Sequence, residues 1–202
     1  SIEDLAENAS YEEVLYLLWH GELPDADELA DFSEAMAGER ALDEHIHRLI
    51  EDLAAAYEEP MAATRTIVSS LSAHDADADP EVDPTDLEAN LRKGRRITAK
   101  IPTALAAFTR LRNGDDPVAP REDLSHAANF LYMLNDEEPE DVLAETFDMA
   151  LVLHADHGLN ASTFAAMVTA STLADLHASV TSAVGALSGS LHGGANQDVM
   201  EM

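Results

Sequence analysis

Cysteine is missing from all 202 positions, and only 11 Lys and Arg stand against 40 Asp and Glu. The first absence excludes disulfides, thiol catalysis and thiolate-held zinc. The second leaves a formal charge of -29, which repels nucleic-acid phosphates unless a local basic patch overrides it. Only Arg92, Lys93, Arg95 and Arg96 form such a patch. It reads either as a helix surface that neutralises neighbouring carboxylates or as an anion site for a phosphorylated cofactor. No apolar run approaches the ~18 residues of a membrane span, and no basic-then-apolar signal opens the sequence. The expectation is a soluble, cytoplasmic protein with neither nucleic acid nor membrane as partner. Strand signals are scarce as well.

What is present is ordinary for a folded chain: 46% hydrophobic residues, in a length that suggests one domain or a little more. A chain of this size buries about 70% of the surface its unfolded form exposes. So acidic a surface repels itself in dilute salt. At 1 M salt the screening length falls to about 3 Å and the penalty disappears, so the composition points to the cytoplasm of a salt-loving cell.

Helical periodicity fills most of the sequence and predicts a mainly α fold. Ser10 and Glu13 make a capping box for a helix that closes at Gly21 and Pro24. Further helices are predicted over 25–36, 42–57, 60–72, 85–111, 124–134, 137–153, 161–174 and 176–187. Pro60 sits in a first turn, where proline is tolerated, whereas Pro102 should bend or split its helix. The acidic stretch 74–84 reads as an exposed loop. Residues 161–174 are nearly all small or apolar, which predicts a helix buried all round.

The nine histidines are the residues most able to carry chemistry. His20, His74 and His126 lie among polar neighbours and are expected on the surface. His45 and His47 point to different faces of one helix. Glu44 and His47 make half of a di-iron motif, but that chemistry needs a second copy, and the sequence has none. Two helix breaks concentrate polar groups between apolar helices. In the first, His154, Asp156, His157, Asn160 and Ser162 must either cap the chain or face a cleft; the spacing matches no recognised zinc site. In the second, His192 lies among Gly189, Gly193 and Gly194 at a predicted helix start. There the backbone permits close approach of a ligand and the dipole favours developing negative charge. An exposed histidine in a plain glycine-rich turn is the alternative.

The segments LHADHGLNASTF (153–164) and ASTLADLHASVTSAVGALSGSLHGGAN (170–196) resemble citrate synthase. YEEVLYLLWHGELP (11–24), ITAKIP (97–102) and SHAANFLYML (125–134) extend the resemblance over essentially the whole chain. The similarity is to the prokaryotic and archaeal type, and the acid excess suggests a haloarchaeal form. It implies a multi-helical large domain, here its N-terminal part over residues 1–202. It also implies condensation of acetyl-CoA with oxaloacetate and water to citrate and CoA, without metal or redox cofactor, acetyl-CoA being a substrate. His192 corresponds to the histidine that donates to the thioester oxygen as an enol or enolate forms, and His157 to one that binds oxaloacetate. Asn160 and Ser162 would hold the imidazoles in place. The second catalytic histidine, the catalytic Asp and most substrate-binding arginines of the family fall beyond Met202, with the small domain, so the 202 residues alone are expected to be inactive. A homodimer is implied, with the helices near 97–111 and 173–187 either at the interface or in the subunit's own core. A 2-methylcitrate synthase using propionyl-CoA and a non-catalytic all-α dimer module are the other readings.

Overall fold

The computed structural model describes residues 1–56, 58–79, 81–156 and 158–193. Among them are ten α-helices and no strand: α1 Ile2–Asn8, α2 Tyr11–His20, α3 Ala26–Ala37, α4 Glu44–Ala55, α5 Pro60–Leu71, α6 Leu87–Asn113, α7 His126–Asn135, α8 Asp141–Ala155, α9 Ala161–Ala170 and α10 Leu176–Leu187. The mainly α expectation holds. Local chemistry sets most of the starts. In α2 the Ser10 hydroxyl accepts from the Glu13 amide at 3.3 Å, and the Ser10 amide donates to Glu13 Oε2 at 2.7 Å. Asp25 and Glu28 repeat that reciprocal cap on α3. α2 and α6 end where Gly21 and Gly114 take φ 87° and 88°, a region that a Cβ disfavours.

Two apolar clusters hold α2 to α6 together. Ile46 and Ile50 of α4, Ile67 and Leu71 of α5 and Ala104, Ala107 and Phe108 of α6 form one. Leu15 of α2, Phe32 and Met36 of α3 and Ala99 of α6 form the other, edged by Tyr11, Tyr16 and Trp19. Because α6 serves both, it survives Pro102 as one 27-residue helix. Ile97 and Ala99 are buried before the proline and Thr103, Ala104 and Phe108 after it. Packing on both sides outweighs the ~3 kcal/mol that an interior proline costs. Of the two expected outcomes, a bend or a split, the split does not occur.

Three other expectations are corrected. The acidic stretch is not simply an exposed loop: Ser72–His74 and Ala76–Ala78 are 3-10 turns, strapped to α6. Arg92 Nε donates to Asp77 at 3.1 Å, and Arg96 Nε donates to Asp75 at 2.9 Å. The Arg92 and Arg96 bonds hold Asp77 well below the usual carboxylate range. Arg92 and Arg96 of the basic patch are therefore paired with carboxylates, in keeping with the first of its two readings. His126 is not at the surface but 6% exposed, with its ring 5.1 Å from that of Tyr11. Its backbone amide opens α7 by donating to Glu12 Oε1 at 2.8 Å.

The helix over 161–174 is shorter than expected and not buried. It ends at Ala170, and Leu173 turns the chain at φ 62°. None of its residues is buried, and Phe164, Met167 and Val168 are 57%, 56% and 49% exposed. Its apolar residues circle the whole helix, while within this chain α10 is its principal packing partner. No helix among the described residues is long and apolar enough to cross a membrane.

Candidate active site at the α9–α10 hairpin

α9 and α10 are antiparallel neighbours, so the start of one lies beside the end of the other. Their 10 and 12 residues correspond to about 15 and 18 Å of rise. Thr169 Oγ1 donates to Ser182 Oγ at 3.0 Å and joins the two helices side by side. In this way the two polar breaks, distant in sequence, meet at one end of the hairpin.

The first break is ordered by its own side chains. α8 ends at Ala155, and Asp156 Oδ1 accepts from the Gly158 amide at 2.7 Å. Asn160 caps α9: its Oδ1 accepts from the Thr163 amide at 2.9 Å. Ser162 does not cap the helix; its hydroxyl donates to the same Asn160 oxygen at 2.7 Å. His154 is exposed, and its Nδ1 lies 2.7 Å from the Ala150 carbonyl oxygen. His157 lies outside the described residues.

The second break is a tight turn following α10. The His192 amide donates to Gly189 O at 2.9 Å, and the Gly193 amide donates to Leu187 O at 3.0 Å. A Cβ on Gly193 would stand 2.6 Å from the Leu187 carbonyl oxygen, closer than any side chain tolerates. Glycine is required here by close approach. The helix expected to begin at His192 lies outside the described residues.

Among the described residues the two breaks meet where His192 Nε2 lies 3.0 Å from Ser162 Oγ, both residues being partly buried. Ser162 therefore touches His192, while Asn160 touches Ser162. Gly193 as a steric requirement and the Thr169–Ser182 tie were not anticipated. The run of Gly, Ser and Ala in 182–193 was their only trace in the sequence. At α4, Glu44 bonds to Arg48 rather than joining His47 at a metal. Among the described residues no group of three His, Asp or Glu could hold a metal ion.

Comparison with known proteins bears directly on this arrangement. The family model described as "Citrate synthase, C-terminal domain" matches residues 1–202. Citrate synthase from Haloferax volcanii is 66% identical over 201 residues, covering 100% of this chain and 53% of that protein. A 2-methylcitrate synthase from Mycobacterium tuberculosis is 44% identical over 199 residues, covering 98% of this chain and 49% of that protein. The crystal structure of citrate synthase from Pyrobaculum aerophilum aligns with a TM-score of 0.90 at 42% identity, over 97% of this chain and 50% of that one. The chain spans about half the length of the curated relatives it matches. With its all-helical fold and a full-length family match, the chain belongs to the citrate synthase family.

Proposed function

We propose that residues 1–202 are the large-domain part of an enzyme that condenses acetyl-CoA with oxaloacetate and water to give citrate and CoA. The observation that carries this reading is the His192–Ser162 contact at 3.0 Å. It sets an imidazole, braced on one nitrogen, at the meeting point of two glycine- and polar-rich turns. Removing a methyl proton from acetyl-CoA moves negative charge onto the thioester oxygen. A fixed donor at that oxygen stabilises the transition state more than the ground state. His192 is assigned that role, and the carbon so activated attacks the oxaloacetate carbonyl. His157 is assigned to oxaloacetate. The base and the remaining substrate groups are assigned to parts of the protein outside these residues. The reaction calls on no metal or redox group from this chain.

The test is His192→Ala in the full-length protein. Turnover should fall by at least 100-fold, the effect of losing one oxyanion donor, while oxaloacetate still binds. Unchanged turnover would overturn the reading and favour an all-α structural module.

The 2-methylcitrate synthase relative at 44% identity supports a second reading with propionyl-CoA. The 66% identity to a protein named citrate synthase favours acetyl-CoA. One methylene in a pocket is worth about 1–3 kcal/mol, so the kcat/KM ratio for the two thioesters decides between them. The exposed Phe164, Met167 and Val168 of α9 support a homodimer. The acidic composition and the Haloferax relative support work in the cytoplasm of a salt-rich cell.

A further inference from the structure

Glu12 of α2 and Arg40, just beyond α3, are 6% and 3% exposed. Main-chain bonds fix both side chains. The His126 amide donates to Glu12 Oε1 at 2.8 Å, and Arg40 Nη1 donates to Leu124 O at 2.9 Å and to Arg121 O. Each side chain then keeps one buried polar atom without a hydrogen-bond partner, Oε2 of Glu12 and Nε of Arg40. Native proteins seldom leave buried polar atoms so. A carboxylate oxygen needs a donor and a guanidinium nitrogen needs an acceptor, so the two call for a molecule that supplies both.

Both residues line a cavity of about 640 Å³. That lies within the size range of small-molecule sites and far above the ~30 Å³ of one water. Leu29, Ala37 and Leu124 give it an apolar wall, and Glu34 and Glu122 are exposed acids on its lining. Asp123 lines it too but is already paired with Arg121. Burial pushes Arg40 down, and the charges of Glu12, Glu122 and Asp123 partly offset that push. Acid and base therefore face one interior, in which acid predominates.

We propose that this cavity binds a basic amino acid of the lysine type. The α-ammonium group supplies the donor for Glu12, and the α-carboxylate supplies the acceptor for Arg40. The methylene stem covers Leu29, Ala37 and Leu124, as long charged side chains cover apolar surface while their heads stay in water. The distal ammonium pairs with Glu34 and Glu122. Plainer ions satisfy only half of the site: an inorganic anion suits Arg40 but meets three carboxylates, and a bare cation suits the carboxylates but meets the guanidinium. The lining contains neither Ser162 nor His192, and the proposal does not depend on the condensation reaction.

The experiment is titration calorimetry on the full-length protein, at the lowest KCl concentration that keeps it folded so that screening is least. The probes are L-lysine, L-norleucine, which lacks the distal ammonium, and cadaverine, which lacks the carboxylate. L-Lysine should bind at a single site per chain. Norleucine and cadaverine should each bind about tenfold or more weakly, the worth of a hydrogen bond to a charged group. Glu34→Gln combined with Glu122→Gln alters only exposed side chains; it should bring L-lysine down to the affinity of norleucine and leave norleucine unchanged. Glu12→Gln keeps the shape of the side chain and should weaken L-lysine by about tenfold or more. If circular dichroism shows that Glu12→Gln has lost its fold, the three probes and the exposed pair still decide. Absence of L-lysine binding, equal affinities for the three probes, or binding indifferent to the exposed pair overturns the proposal. So does a crystal structure grown in saturating L-lysine that holds only water in this cavity.

Discussion

The rings of Tyr11 and His126 lie 5.1 Å apart at 35°, and the Tyr11 amide donates to Asp148 Oδ2 at 3.0 Å. One residue at the start of α2 thus touches a buried base on α7 and a half-buried acid on α8. Burial, with a smaller contribution from Arg40, pushes His126 down to about 4. Burial, aided by the Glu12 charge, pushes Asp148 up to about 6.

The two groups pull stability in opposite directions with pH. The depressed His126 value means that folding excludes a proton, so its contribution is complete above about 6.5 and is lost as pH falls towards 4. The raised Asp148 value means that folding retains a proton, so ionised Asp148 weakens the fold above pH 6 and the penalty fades towards 4. Asp148→Asn should therefore stabilise the protein at pH 8, by about 2 kcal/mol, and steepen its loss of stability between pH 6 and 4. Urea melts across that range check the sign. Equal stability of the two proteins at pH 8 would refute the account.

Gly193→Ala places a methyl where the Leu187 carbonyl oxygen already stands. The turn must open, moving His192 from Ser162. The expected outcome is a loss of turnover of 10-fold or more in the full-length enzyme, at a stability cost of about 1–3 kcal/mol. A fully active, equally stable variant would contradict the geometry of this turn.

The exposed apolar residues of α9 predict self-association. Phe164→Glu combined with Met167→Glu should lower the mass found by sedimentation from dimer to monomer and leave the helical content of the monomer intact. Persistence of the dimer would remove α9 from the interface.

At a net charge of -29, the helical circular dichroism should fall in dilute buffer and return in multimolar KCl. A response flat from 0.05 to 3 M would end the halophilic reading without touching the assignment of His192.

Much of this structure was legible in the sequence, for physical reasons that differ from element to element. The capping box at Ser10 and the first-turn proline at Pro60 act within three or four residues, so local pattern reveals them. The survival of α6 through Pro102 depends on two clusters contributed by α2, α3, α4 and α5, and no local window contains that information. His126 misled because its sequence neighbours Ser125 and Asp123 are polar, while the groups that bury it, Tyr11 and Glu12, lie more than 100 positions away. For α9, composition reports how apolar a helix is but not which molecule covers it. The resemblance named His192, Asn160 and Ser162. The direction of the bonds joining them required coordinates.

The cations of this chain are spent on internal carpentry. Arg40, Lys100, Arg110 and Arg112 clasp main-chain carbonyls at turns and helix ends, and Arg92 and Arg96 rivet the 72–79 segment to α6. Few positive side chains remain to face outwards among 40 carboxylates. The countercharge for that exterior must come from dissolved ions, a structural component that the gene does not encode.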